Sequence, residues 1–161
     1  MSTKQGDVAL LNDPIAQELL LSDVPAHLAY NWTDGTPRVE PIWFHWNGTE
    51  LVIASPSNAP KSKAIKTGTP VAITIDTYSS PQKVLIIRGV AKVDLVPGVA
   101  PEYALAAERY MGKEQGRGWV AGVKQMIGEK GQMFRVSVKP EFVAVLDFVK
   151  RFPSAIQKFM A

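Results

Sequence analysis

Cysteine is absent from the 161 residues, and histidine occurs only at His27 and His45. Without cysteine there are no disulfides, thiolate nucleophiles, iron–sulfur ligands or cysteine zinc sites. Transition metals in proteins are bound mainly by cysteine and histidine, and two histidines alone are a poor ligand set. The sequence therefore predicts that the protein holds no metal ion.

Long apolar runs are also absent, although 46% of the residues are hydrophobic. The longest run falls far short of the roughly 18 residues that a membrane helix requires. Residues 1–20 contain neither a basic start followed by an apolar block nor a small-residue cleavage site, so they do not resemble a secretory signal. We therefore expect no membrane contact and a cytoplasmic location.

The charge balance argues against a nucleic-acid partner. The net charge is +3, and the lysines and arginines are distributed along the chain instead of being gathered into one block. No helix-turn-helix, zinc-finger or RNP-like pattern accompanies them. We expect no nucleic-acid binding, whereas a modest positive charge is compatible with a small anionic ligand.

Familiar catalytic motifs are missing as well. The chain has no G-x-S-x-G nucleophile motif and neither of the two common glycine-rich phosphate loops. His45 has no obvious carboxylate partner in the sequence. No catalytic residue can therefore be identified from a known sequence motif.

Turn signals separate the first strands. The segment 26–32 alternates in polarity, and an Asp-Gly turn at 34–35 leads to a strand over 38–46. An Asn-Gly turn at 47–48 then leads to a strand over 50–55. Two hairpins in succession predict an antiparallel meander of three strands.

The rest of the chain combines further strands with short helices. Asp13 followed by Pro14 is a typical helix start, which predicts a helix over 13–22. Gly89, inside a long strand over 83–96, indicates a bend of the kind found at barrel corners. The other predicted elements are two helical turns over 61–68, a strand over 71–76, a helical insertion over about 101–129 with a glycine-rich connection at 116–118, and strands over 132–140 and 141–149.

This pattern gives about seven strands with a few short helices, and it contains neither a βαβ alternation nor an internal repeat. It predicts a mainly β protein, an antiparallel barrel with added helices, forming a single domain over residues 1–161.

A cluster of lysines follows the predicted strand 50–55. Lys61, Ser62 and Lys63, with Lys66 nearby, place ammonium groups and a hydroxyl where an anion such as phosphate can be bound. Ser55 adds a second hydroxyl ahead of the cluster. An ordinary solvated surface helix has the same composition, so charge alone leaves both interpretations open.

Four consecutive aromatic residues occupy positions 43–46. In a strand, Trp43 and His45 share one face, while Phe44 and Trp46 share the other. Two rings then line the core and two face a ligand or a neighbouring subunit. A strand buried on both faces would account for the same residues.

The order of these pieces resembles the pyridoxamine 5′-phosphate oxidase-like family of flavin-reductase split barrels. The resemblance covers residues 15–96 well and the terminal strands more loosely. The matching pieces are Asp34-Gly35, Pro41-Ile42-Trp43-Phe44, Asn47-Gly48, Ser55, Lys61-Ser62-Lys63, Pro70-Val71 and Gly89-Val90-Ala91-Lys92-Val93.

The resemblance implies a Greek-key split barrel of six to seven strands that forms a homodimer, with FMN bound between the subunits. The flavin ring would lie against strand backbones, and the phosphate tail would meet the lysine cluster. Lys63 stands where many members carry arginine, which removes bidentate phosphate recognition. The implied cofactor-binding residues are Lys61, Ser62, Lys63, Ser55, Pro56, Ile42, Trp43 and Thr74.

Three functions are compatible with this resemblance: an FMN-dependent oxidoreductase acting on a small molecule, a reductase using the deazaflavin coenzyme F-420, and a non-catalytic flavin- or haem-binding protein. The arginine and histidine set that binds substrate phosphate in true pyridoxamine phosphate oxidases has no match here, so that activity is not expected. Tyr30, Tyr78, His45 and Arg88 are conceivable near the ring, and the sequence favours none of them as a proton donor.

Overall fold

The computed structural model describes residues 4–160. Within that range one sheet contains the strands β1 (Ala26–Asn31), β2 (Pro37–Ile42), β3 (His45–Trp46), β4 (Leu51–Pro56), β5 (Pro70–Asp76), β6 (Val84–Pro97), β7 (Gln132–Val138) and β8 (Phe142–Leu146). The helices are α1 (Pro14–Leu21), α2 (Pro101–Met111), α3 (Lys113–Ile127) and α4 (Ser154–Met160), with 3-10 turns at Val8–Asn12 and Pro60–Lys63.

All strand pairs of this sheet are antiparallel. The order across it is β2-β1-β5-β6-β7-β4-β3, and β8 pairs with β6. Strands β2 and β3 stand at opposite ends of this order, yet only two residues separate them in the chain. The two ends must therefore lie close together, so the sheet curls into an incomplete barrel. The predicted mainly β, antiparallel split barrel with a few short helices is confirmed.

Strand β6 belongs to both halves of the barrel. Its residues 84–90 pair with β5, whereas residues 91–97 pair with β7. Gly89 stands close to this change of partner, and a Cβ atom there would lie only 2.5 Å from the carbonyl oxygen of Lys139. A larger residue would push the β7–β8 connection away, so the glycine predicted to bend this strand is required by close backbone packing.

The predicted single strand over 38–46 is wrong, and with it the three-stranded meander. The turns at 34–35 and 47–48 are present, but β2 ends at Ile42 and pairs with β1, while β3 begins at His45 and pairs with β4. Between them Phe44 is fully buried, and its carbonyl oxygen accepts a hydrogen bond from the Arg109 guanidinium. A helix side chain thus satisfies a backbone group that would otherwise pair within a strand.

The core fills the space inside the curled sheet. On β5, Val71, Ile73 and Ile75 are buried, while Thr74 points to the opposite face. Helix α1 packs against this core, and the Asp13 carboxylate caps its start by accepting the Ile15 amide at 3.0 Å. The largest fully buried side chains are Leu19, Leu20, Leu28, Phe44, Leu51, Ile53, Ile65, Ile73, Ile75, Leu85, Ile87 and Met133.

The glycine-rich connection predicted at 116–118 is also wrong. Helix α3 begins at Lys113 and runs through these residues, so α2 and α3 are joined at Gly112, which has a φ of +82°. Gly116 packs against α2, and a Cβ atom there would lie 2.7 Å from the Cα atom of Glu108. Glycine at this position allows two helices to approach closely and does not mark a loop.

The lysine-bearing segment is less helical than predicted. Instead of two turns over 61–68, it contains one 3-10 turn, Pro60–Lys63. The lysine-bearing segment ends at Gly68, which has a φ of +94°. The Gly68 amide donates a hydrogen bond of 2.8 Å to the Ala91 carbonyl oxygen. Because one 3-10 turn has almost no helix dipole, any anion binding here must depend on the side chains.

Candidate functional site

A cleft of about 380 Å³ opens where strands β2 and β4 end. Four of the predicted cofactor-binding residues line it: Ile42 and Trp43 at the end of β2, and Ser55 and Pro56 at the end of β4. The size falls in the range of small-molecule sites, roughly 300 to 1,000 Å³. The other lining residues are Pro25, Pro41, Ala54, Tyr103 and Trp119.

Aromatic rings from the helical insertion form one wall of this cleft. Trp43 stacks on Tyr110 with ring centroids 5.1 Å apart and planes inclined by 9°, and its centroid lies 6.1 Å from that of Trp119. The indole N–H of Trp119 donates to the Tyr103 hydroxyl at 2.8 Å. These contacts hold flat apolar surfaces beside the strand ends.

Sequence reasoning missed Tyr103 and Trp119. Tyr103 and Tyr110 share one face of α2, a spacing that equally fits ordinary helix packing. Trp119 gives no local signal at all, because it reaches the cleft only through the way α3 folds back on α2.

Lys61 is a buried cation at the edge of the cleft. Its ammonium nitrogen lies 3.4 Å from the Ser55 hydroxyl oxygen and 3.2 Å from Oε2 of Glu40, and only 8% of its side chain is exposed. An ammonium group carries three donors, and these two acceptors leave capacity for a third. A buried lysine within reach of a cleft residue is a suitable partner for an anionic ligand group.

Glu40 was not predicted as a site residue. It lies on β2 two residues before Ile42, so both side chains point to the same face of the strand. Its Oε1 atom is buried and has no hydrogen-bond partner among the described residues. No motif in the sequence identifies it, because the pairing with Lys61 depends on how β2 and the 3-10 turn come together.

The other predicted residues of the lysine cluster are more exposed. The Lys63 side chain is exposed to solvent, and Ser62 is half-buried. The Lys66 ammonium group donates to the Ser62 carbonyl oxygen at 2.6 Å. The segment 61–66 therefore places one lysine toward the interior and two on the surface.

Thr74 is separate from these residues. It lies on the outer face of β5, opposite His27 on β1 and Ile86 on β6. A second, wider cleft of about 800 Å³ lies near this face and includes His27, Asp76 and the loop 78–82. Pro25 and Pro41 line both clefts, which therefore adjoin.

Comparison with known proteins rests on structure alone. Neither a protein-family model nor a curated protein matches this sequence. Solved structures do match: an F-420 reductase is 22% identical with a TM-score of 0.55, covering 80% of this chain and 94% of the other. A conserved hypothetical protein from Mycobacterium tuberculosis is 18% identical with a TM-score of 0.66, covering 92% of both chains.

A third match is an FAD- and haem-binding protein from Mycobacterium smegmatis, 16% identical with a TM-score of 0.56, covering 92% of this chain and 78% of the other. The chain has the pyridoxamine 5′-phosphate oxidase-like split-barrel fold. At these identities the likeness establishes the fold of the chain and not its ligand.

None of the four conceivable proton donors lines the smaller cleft of this split barrel. Burial lowers the pKa of His45, and the Arg109 guanidinium lowers it further, against the opposing effect of Glu102. Burial, followed by the nearby Glu40 carboxylate, raises the pKa of Tyr30. Tyr78 is fully exposed beside the wider cleft, and Arg88 stacks over the Phe142 ring at 4.4 Å.

Residues 4–160 contain no group of three or more histidine, cysteine, aspartate or glutamate side chains close enough to bind a metal ion. None of the helices described for this split barrel combines the length and the apolar character needed to cross a bilayer.

Proposed function

We propose that this protein is a flavin-dependent oxidoreductase that binds FMN in the cleft at the ends of β2 and β4. One observation carries the proposal: a largely apolar cleft lined by the Trp43 indole lies beside a buried lysine that reaches its Ser55 hydroxyl. That combination fits a cofactor with a planar ring at one end and a phosphate at the other.

The residues of the cleft divide between these two ends. Ile42, Pro56 and the Trp43 indole offer apolar surface for the ring, and Tyr103 with Trp119 would cover its open side. Ser55 and Lys61 offer a hydroxyl and an ammonium group for the phosphate. When bound, the flavin supplies hydride transfer, and the protein supplies binding, orientation and exclusion of water.

A second copy of the chain would complete the site. The outer face of the sheet carries exposed apolar side chains, including Val39 at 69% and Val90 at 43% exposure. Thr74, Ala29 and Ala72 lie on this face and are only partly buried. Such a surface suits a homodimer, in which the wider cleft and Thr74 lie near the partner.

Specific observations favour two alternatives. Coenzyme F-420 is favoured by the match to an F-420 reductase and by Glu40, which already balances the Lys61 charge. A non-catalytic role in binding flavin or haem is favoured by the scarcity of acid–base groups: of the residues lining the smaller cleft, only Tyr103 has an ionisable side chain.

The test is to purify the protein, record its visible spectrum and identify any bound small molecule by mass spectrometry. We expect an oxidised-flavin spectrum, or its appearance after incubation with FMN, and bleaching of that spectrum by a hydride donor. Retention of F-420 but not FMN in equilibrium dialysis would support the first alternative. Binding of a flavin or haem without any turnover would support the second, and binding of none of these ligands would refute the proposal.

A further inference from the structure

Glu40 affects which anionic groups can bind at Lys61. The Glu40 carboxylate lies 3.2 Å from the Lys61 ammonium group, and together they carry no net charge. An anion that approaches Lys61 therefore also approaches a fixed negative charge.

The repulsion depends on the charge of the ligand. A phosphate monoester carries between about −1.5 and −2 charges at neutral pH, whereas a phosphodiester carries one. Coulomb energy is proportional to the product of the charges, and partly buried groups are screened only weakly by salt. The Glu40 carboxylate thus opposes a monoester more strongly than a diester, and does not oppose an uncharged tail by this mechanism.

A second observation concerns the face of β2 on which Glu40 lies, although Glu40 does not itself line the cleft. Its side chain points to the same face of β2 as Ile42, which lines the cleft. Its Oε1 atom is buried without a hydrogen-bond partner among the described residues, although buried carboxylate oxygens are normally paired. The Tyr30 hydroxyl lies near the same carboxylate, and burial followed by this carboxylate raises the pKa of Tyr30, but the hydroxyl makes no hydrogen bond to Oε1. A ligand hydroxyl, such as those of a polyol chain next to a flavin ring, would satisfy this acceptor.

We propose that Glu40 selects the charge of the group bound at Lys61, disfavouring a doubly charged phosphate monoester relative to a singly charged or uncharged tail. This inference rests on the proposed binding of a flavin-type cofactor in the cleft. It identifies a specificity-determining residue that would limit the affinity for FMN.

The test compares FMN with riboflavin, which share the ring and the polyol chain and differ only in the phosphate. Dissociation constants are measured by flavin fluorescence for the wild type and for Glu40→Gln, which keeps an acceptor oxygen but removes the charge. We expect the preference for FMN over riboflavin to increase at least tenfold in the variant. Because the preference is a ratio, effects on the ring and the polyol chain cancel.

Glu18→Gln is the matched control, because Glu18 pairs with Lys83 on the surface and neither residue lines the cleft. It removes the same charge, and its FMN preference should equal that of the wild type. Glu40→Leu serves as a second variant if Glu40→Gln does not fold, and the same increase is expected. An unchanged or reduced preference in the folded variant would overturn the inference alone. Failure of every protein to bind either flavin would overturn the proposed function as well.

Discussion

The ammonium nitrogen of Lys61 lies 3.4 Å from the hydroxyl oxygen of Ser55, so a buried cation reaches a residue that lines the cleft. This relationship links the lysine cluster predicted from the sequence to the cavity seen in the structure. If an anionic tail binds there, it meets both groups at once.

Replacing Lys61 by alanine should weaken FMN binding by about 1.5 to 3 kcal/mol, the range for hydrogen bonds to charged groups. Lys63→Ala is the control, because that side chain is exposed and should contribute less than about 1 kcal/mol. Both values follow from calorimetric titration with FMN. Equal losses of binding free energy in the two variants would show that Lys61 does not contact the phosphate more closely than Lys63 does.

Replacing Trp119 by alanine should weaken the binding of riboflavin and of FMN to the same extent. The indole forms part of the aromatic wall and is 47% exposed, so its loss removes ring contacts of about 0.5 to 1.5 kcal/mol without touching the phosphate. Leu105→Ala, an exposed apolar residue of α2 that does not line the cleft, is the control. A loss confined to FMN would contradict the assignment of Trp119 to the ring end.

Gly116→Ala should destabilise the fold by about 1 to 3 kcal/mol, because the added methyl group would overlap the backbone of α2 at Glu108. Gly122→Ala lies in the same helix with open space around it and should be neutral or stabilise by up to about 1 kcal/mol. Urea unfolding monitored by circular dichroism gives both free energies. Similar stabilities for the two variants would refute the close helix packing.

Glu102→Gln should reduce stability at neutral pH by about 1 to 3 kcal/mol. The hydrogen bonds from Arg135, at 2.7 and 3.1 Å, hold the pKa of Glu102 below its usual value, although burial opposes them. A lowered folded-state pKa means that this stabilisation is complete above the unfolded pKa, about 4.5, and is lost as the pH falls through the folded one.

The difference between wild type and Glu102→Gln should therefore shrink at acidic pH. Glu108→Gln is the control on the same helix, because its partner Arg117 is 71% exposed and the pair contributes less than about 1 kcal/mol. Free energies of unfolding at several pH values provide the measurement. A difference that stays constant down to strongly acidic pH would contradict the pKa assignment.

The sequence predicted the fold class because its signals are local. Turns at 34–35 and 47–48 have the Asp-Gly and Asn-Gly pairs that hairpins require, and Gly89 marks the place where β6 changes partners. The strand break at Trp43 and Phe44 was not predictable in this way. It depends on Arg109, which is 65 residues away in the sequence and donates a hydrogen bond to the Phe44 carbonyl oxygen.

The candidate site was also predictable only in part. Ile42, Trp43, Ser55 and Pro56 come together because strand ends are close in space, which the resemblance conveyed. Glu40 could not be predicted as a site residue, because an ion pair between a strand and a later turn leaves no pattern in the sequence. Tyr103 and Trp119 depend on the packing of two helices, and that packing depends in turn on Gly116.

The most direct test of the central claim is a crystal structure of the protein grown with FMN. We predict that the ring occupies the cleft beside Trp43, with the phosphate within hydrogen-bond distance of Lys61 and with a second copy of the chain closing the site. Density for FMN elsewhere, or a solitary protomer whose Lys61 still contacts only Glu40 and Ser55, would contradict the account.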